Sequence, residues 1–551
     1  MKLSKWFTLG AEMTMRKSLM VAALAGTCLA AAPAWAQTLR IALASEPTAV
    51  DPHYHDLTPN NALAQHIFDS LVRQDEKQKL HPSLANSWEN DGKNRWTFKL
   101  RQGVTFSNGK PFTAEDVVFT FCRTLKNETK VSDSFADITG NFASVEAPDA
   151  HTLIINTINP EPLMPNLLSS LSILSASIVE HGPISYDVPK NCGVTGAWPA
   201  VSGFNDGSLA IGTGPYKLKS YVRGSSIELE RNASYWGKAE PWATVRLLPV
   251  TNAGPRLAGL LAGDYDVIEN PAARDLGRIK GDKRFGHVVT PSTRVMYFQL
   301  DVARDQSPFV KSEDGKNPLK DPRVRKAMSL AIDRDAIVKR IMDGAAEPAY
   351  QFLPTGMFGT LPNPPKLAYD PAAAKKLMAE AGYAKGFQLT LSSTNDRYIN
   401  DSQITQAVAQ YLTQIGIKTE VDAMTRAIYF PRRAKKEFSV ALGGWGSGTG
   451  EAASFLRQWP PTPNDEKTLG GSNYGGYKND AFDKVIRTAV TTLDDAKRAE
   501  LLQEAGKLVL ADGAFIPLHF ESGIWAFKSD LNVTGRADQF MLAMSVKPVA
   551  K

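Results

Sequence analysis

Cysteine is scarce, with three in 551 residues, and one of them, Cys28, lies in the first 36. A scaffold held together by many disulfides is thereby excluded. Beyond residue 36 no apolar run reaches the about 20 residues that a membrane-spanning helix needs. No long block of lysine and arginine occurs, which argues against a nucleic-acid partner. Formal net charge is +6, and the first 36 residues hold Lys2, Lys5, Arg16 and Lys17 against Glu12, so half of that excess sits there. H-E-x-x-H, Walker A and G-x-S-x-G are all missing, which removes the usual signatures of zinc proteases, P-loop enzymes and serine hydrolases.

The composition is that of a globular protein, 43% hydrophobic and 22% charged. The length exceeds one ordinary domain and implies two or three lobes. At the start, Arg16-Lys17, the apolar stretch Leu19–Ala32 and Ala34-Trp35-Ala36 read as a secretory leader with a small-x-small cleavage site. Residues 1–36 are therefore expected to be removed, with Met15 a second candidate start. Ala25-Gly26-Thr27 before Cys28 is a poor lipidation signal, because Thr27 stands where Gly or Ala is wanted. Export places Cys122 and Cys192 in an oxidising compartment. A disulfide between them is expected, worth roughly 4 kcal/mol for so long a loop; the other reading is two unpaired buried thiols.

The chain is organised around 96–121, WTFKLRQGVTFSNGKPFTAEDVVFTF. Trp96, Phe98 and Leu100 alternate with polar residues and predict a strand. Val104 and Phe106 suggest a second short strand, and Asn108-Gly109 a tight turn. Thr113 caps a helix, with Asp116 three residues on in capping-box position. Further along, helices are expected at 61–71, 321–342, 371–381, 402–415, 479–492 and 494–511. Strands are expected at 387–393, 417–422, 438–442 and 515–528. This alternation predicts a helix-covered sheet.

Read along its length, the chain resembles bacterial extracytoplasmic solute-binding proteins of family 5, the peptide- and nickel-binding group. The likeness rests on 96–121 together with GTGPYKL (212–218), DPRVRKAMSLAIDRDAIV (321–338), NYGGYKNDAFDKVI (473–486) and FIPLHF (515–520), in this order. It implies an α/β, two-lobe periplasmic binding protein of type II, of the large cluster with an extra subdomain, hinged by crossing strands. Residues 37–80, 206–292 and 515–551 would form lobe I, 81–205 its extra subdomain and 293–514 lobe II. The implied function is capture of short peptides and delivery to an inner-membrane ABC permease, by a monomer, in the periplasm, without catalysis, cofactor or metal. A non-peptide solute is the alternative: an opine or other amino-acid conjugate, a sugar derivative or a nickel chelate. A secreted hydrolase is a remote one.

The pocket candidate is ALGGWGSGTGEAASFL (441–456), where glycines let a ligand approach the backbone and Trp445 offers a flat apolar floor. Gly444, Trp445, Gly446 and Gly448 are its named members; Trp445 in the core is the other reading. Peptide-binding relatives carry an aspartate three residues after this Trp, for the ligand's amino group. Here Gly448 stands there, and Glu451 is the nearest acid. Glu46, in EPTAVDP, matches a loop that touches ligand in the family, or is a solvated acid. Asn395 and Arg397 lie in NDRYIND (395–401). Arg397 matches the family arginine for a ligand carboxylate, a pairing its planar fork suits, unless Asp396 neutralises it. His53-Tyr54-His55 is too short a pattern to imply a metal site. Gly448–Ala453 fits G-x-G-x-x-A, but no strand ending in an acid follows to hold a ribose.

Overall fold

The computed structural model describes residues 38–131, 134–463 and 469–550. The leader, its cleavage site and Cys28 lie outside the described residues.

A twelve-stranded sheet runs through both halves of the chain. Its centre is an antiparallel pair of long strands, Phe285–Leu300 and Phe515–Lys528. On one side lie Val267–Glu269, Thr38–Leu43, Thr244–Pro249, Ser226–Arg231 and Tyr216–Val222; on the other, Val440–Trp445, Gln388–Thr394 and Val310–Lys311. Ala346–Pro348 and Lys418–Met424 join as side branches. The architecture is an α/β fold of two lobes, with the long strands crossing between them. Their register breaks between Pro291 and Val295. Pro291 has no N–H to donate, and Ser292, Thr293 and Arg294 have no partner in this ladder.

A separate four-stranded sheet, in the order Ala85–Asn90, Arg95–Leu100, Thr152–Thr157 and Phe142–Asp149, packs on the helix Ala114–Lys126. Trp96, Phe98 and Leu100 are buried, as their alternation predicts. The Thr113 backbone N–H donates to the Asp116 carboxylate at 2.8 Å, closing the expected cap. Phe98, Phe106 and Phe121 are fully buried here, each worth about 1.5–3 kcal/mol against exposure. Cys122 and Cys192 are bonded to each other inside this core. A second core lies under Thr38–Leu43, and a third between Gln388–Thr394 and the helices Pro322–Leu330, Pro371–Glu380 and Asp401–Gln414. A fourth, rich in aromatic rings, surrounds Tyr297, Phe455, Trp459 and Phe515 against the helices Asp480–Ala489 and Asp495–Asp512.

Two local expectations are corrected and one helix is added. Val104–Phe106 forms no strand, only an isolated bridge from Thr105 to Pro111. The helix expected over 321–342 is two, Pro322–Leu330 and Arg334–Arg340. Asp333 starts the second by accepting the Ala336 N–H at 2.8 Å, a bond that competes with continuing the first. A helix at Arg426–Ala434, with Pro431 inside it, was not expected.

Candidate functional site

Where the two halves of the sheet meet, a cavity of about 360 Å³ opens beside the crossing strands. Three segments build its chemistry.

The first is the end of strand Val440–Trp445, which pairs Gly444 with Met296 and Trp445 with Val295. The glycines have a packing reason as well as an access reason. A Cβ at Gly443 would meet the Tyr297 ring at 2.7 Å, and one at Gly444 the Tyr398 ring at 2.5 Å. Gly448 has open space instead. Trp445 is half-buried, lines the cavity, donates from Nε1 to Ser454 Oγ at 3.1 Å and meets Trp459 edge to face at 5.6 Å. It is thus both a wall of the cavity and part of the aromatic core.

The second is the loop between strand Gln388–Thr394 and helix Asp401–Gln414. Buried Asp401 shapes it, accepting from Thr394 Oγ1 at 2.6 Å, Tyr398 N at 3.1 Å and Arg397 N at 3.2 Å. Arg397 lines the cavity with its guanidinium 4.9 Å from the Tyr398 ring centre. Asp396 does not pair with it; its carboxylate accepts the Arg426 backbone N–H at 2.7 Å, at the start of the unexpected helix. Among the described residues Arg397 forms no ion pair. Its charge is felt nearby. Burial first, then Arg397 and Arg426, hold His55 at about 4, and burial followed by Arg397 lowers Arg294.

The third is that helix, Arg426–Ala434. It brings Arg433 into the lining, 4% exposed, with Nη2 donating to Gln299 Oε1 at 3.2 Å and to the Tyr297 hydroxyl at 3.4 Å. The Trp459 and Tyr474 ring centres lie 4.7 and 5.4 Å from the guanidinium. Sequence reasoning missed Arg433 because RRAKK (432–436) reads as a solvated charged face and Pro431 hides the helical period. The aromatic residues Tyr429 and Phe430 one turn earlier were the available signal.

Other expected residues fall elsewhere. Asn395 is exposed and outside the lining. Glu46 also lies outside it, and its carboxylate accepts the Gly224 N–H at 2.5 Å. Glu451 forms an ion pair with Arg498, itself 4% exposed. Burial raises the Glu451 carboxyl above its usual range, with Arg498 opposing. That pairing leaves it unsuited to take over from the missing aspartate. His53 is a core residue, its Nε2 bonded to the Ser172 carbonyl at 2.9 Å.

Across the cavity mouth, the segment after Trp445 is bound by side chains from the N-terminal half. Gln78 donates to the Ser447 carbonyl, Gln74 to Gly448 O at 2.8 Å and Asn166 to Thr449 O at 2.9 Å. Arg457 pairs with Glu161 at 3.2 Å, and Arg426 donates to Ser45 Oγ at 2.7 Å.

The sequence profile described as bacterial extracellular solute-binding proteins, family 5 Middle, matches residues 79–467. The periplasmic oligopeptide-binding protein OppA of Salmonella typhimurium is 27% identical over 545 residues, covering 92% of this chain and 93% of that protein. The periplasmic binding protein DppA of Helicobacter pylori, in complex with the peptide STSA, superposes with a TM-score of 0.78 at 22% identity, over 94% of this chain and 98% of its own. The binding protein AgaA of A. tumefaciens R10, in complex with agropinic acid, gives 0.76 at 21% identity, over 94% and 99%. The profile match covers most of the chain and takes in Arg397, Arg433 and Trp445, so the chain belongs to the bacterial extracellular solute-binding proteins of family 5.

Proposed function

We propose that this protein is the periplasmic solute-binding component of an ABC importer, capturing a short peptide or peptide-like acid and presenting it to an inner-membrane permease. It works as a monomer and without chemistry of its own. The division into lobe I (37–80, 206–292, 515–551), extra subdomain (81–205) and lobe II (293–514) goes with this reading, as does closure around the crossing strands. One observation carries it: Arg397, without a carboxylate partner among the described residues, faces a cavity between the two halves beside half-buried Trp445. A ligand carboxylate there would form the charge-assisted pair that the protein leaves unmade. Arg397, Gly444, Trp445, Gly446 and Gly448 are the proposed ligand-contacting residues.

The second reading, an amino-acid conjugate such as an opine, is favoured by Gly448, which offers no carboxylate for a free amine. Native mass spectrometry of protein purified without denaturation tests both. The expected adduct is a small acid, released on unfolding, and its mass separates peptide from conjugate. Small-angle scattering with that compound should give a smaller radius of gyration than the empty protein. Binding without compaction, or an adduct with no acidic group, would overturn the reading.

A further inference from the structure

We infer that the cavity selects a compact solute carrying two anionic groups, one held at Arg397 and the other at Arg433. The inference rests on the cavity being the solute site, as proposed above, and names what that solute must be.

The first support is charge balance. Four arginines line the cavity. Arg294 faces Glu521 at 3.5 Å and Arg457 faces Glu161 at 3.2 Å. Among the described residues Arg397 and Arg433 have no such partner, and Arg433 Nε is buried without any acceptor. Its two bonded neighbours, Tyr297 and Gln299, are neutral. A buried cation lacking a counter-charge is costly, and an anion entering the cavity would relieve that cost.

The two cations also lie in different surroundings. Arg397 acts on Arg294, Arg426 and His55. Arg433 is set among Tyr297, Tyr429, Trp459 and Tyr474. Two cations without a carboxylate partner among the described residues call for two negative charges in the solute.

The second support is the shortage of acceptors. The carbonyls of Ser447, Gly448 and Thr449 already take the amides of Gln78, Gln74 and Asn166. Asp538 is held by Arg536 at 2.6 Å, Asp56 accepts from Asn61 at 2.8 Å, and Asp137 is engaged as well. Among the described residues the lining thus holds no unpaired carboxylate, and Gln78 Oε1 is its buried unfilled side-chain acceptor against the unfilled donors Arg433 Nε, Arg457 Nε and Trp459 Nε1, the inverse of a site built for an ammonium group. Its volume, about 360 Å³, is near the lower end of ligand cavities, which span about 300–1,000 Å³.

The test is calorimetric titration of wild type with probe pairs differing in one carboxylate. These are Ala-Glu against Ala-Gln, the same pair N-acetylated, and N-carboxyethyl-alanine against N-carboxyethyl-alaninamide. The diacid of a pair should bind roughly thirtyfold or more tightly than its monoamide, the low end for losing one partner of a buried charged pair. N-acetylation should change affinity by less than about tenfold, the equivalent of one charged hydrogen bond. Arg433→Gln should abolish the diacid preference while Arg433→Lys retains most of it. Equal binding of diacid and monoamide to wild type overturns the inference, whatever the folding of the variants, and leaves the solute-binding reading standing. Should no probe bind, native mass spectrometry decides. A co-purified compound with two acidic groups supports the inference, and one with fewer overturns it. An empty protein that binds nothing overturns both readings.

Discussion

Three side-chain amides bridge the cleft to three successive carbonyls, and removing them should weaken ligand binding by loosening the closed form. In the structure Gln78, Gln74 and Asn166 donate to Ser447, Gly448 and Thr449. When the lobes part, both sides of each bond are hydrated, so each contributes only about 0.5–1.5 kcal/mol to the closed form. Replacing all three by alanine should therefore cost the closed form roughly 1.5–4.5 kcal/mol, if the sites add. Apparent affinity falls with the fraction that is competent to close, so the triple variant should bind its co-purified solute roughly tenfold to a thousandfold more weakly. Calorimetry measures the loss, and scattering shows whether the empty variant is more open. None of the three bonds involves Arg397, so the selectivity between an acid and its amide should be unchanged. A triple variant that binds and compacts like wild type would refute the latch. Altered selectivity with unchanged scattering would show that these side chains touch the ligand instead.

Other outcomes follow from the same structure. Replacing Cys122 and Cys192 by alanine should lower stability by roughly 4 kcal/mol in the chain-entropy model for a bridge spanning 70 residues; denaturant curves that coincide with and without reductant would count against it. Glu451→Gln should leave solute affinity near wild type yet destabilise the fold by about 1–3 kcal/mol, because Arg498 loses a buried partner. A large change in affinity at unchanged stability would put Glu451 back in the site. Burial raises Glu269 to about 7 and Asp69 and Asp116 to about 6. The native state thus binds these protons more tightly than the unfolded chain. The contribution of these carboxyls to stability should fall as pH rises from about 4 through about 7, while buried His53, His55, His66 and His519 act oppositely; wild type should therefore lose stability relative to Glu269→Gln across that range in chemical denaturation. An unchanged slope would show that Glu269 ionises normally. Arg397→Ala should weaken binding of an acid by roughly 2–5 kcal/mol and of its amide hardly at all, whereas Trp445→Ala should weaken both alike.

Much of this protein is readable without coordinates because it depends on local pattern. Period-two alternation placed Arg95–Leu100, and the spacing from Thr113 to Asp116 placed the start of Ala114–Lys126. Linear motifs carry the family, since each is a short run that one element must hold. The two cysteines beyond residue 36 leave a single pairing between them, and Cys122–Cys192 is that bond.

The site is different, because side chains distant in sequence decide its charge. Whether Glu451 is available depends on Arg498, 47 residues away, and whether Arg397 is available depends on Asp396 turning to cap Arg426. The glycines at 443 and 444 read as room for a ligand; the fold also needs them so that Tyr297 and Tyr398 can lie on the strand. Arg433 looks like one more surface cation in RRAKK until packing sets it among four aromatic side chains. Local sequence determines which elements form, since hydrogen bonds and apolar periodicity act over a few residues. Which charges are left unpaired in the cavity is settled only by tertiary packing, because pairing acts through space at a few ångströms and takes no account of distance along the chain.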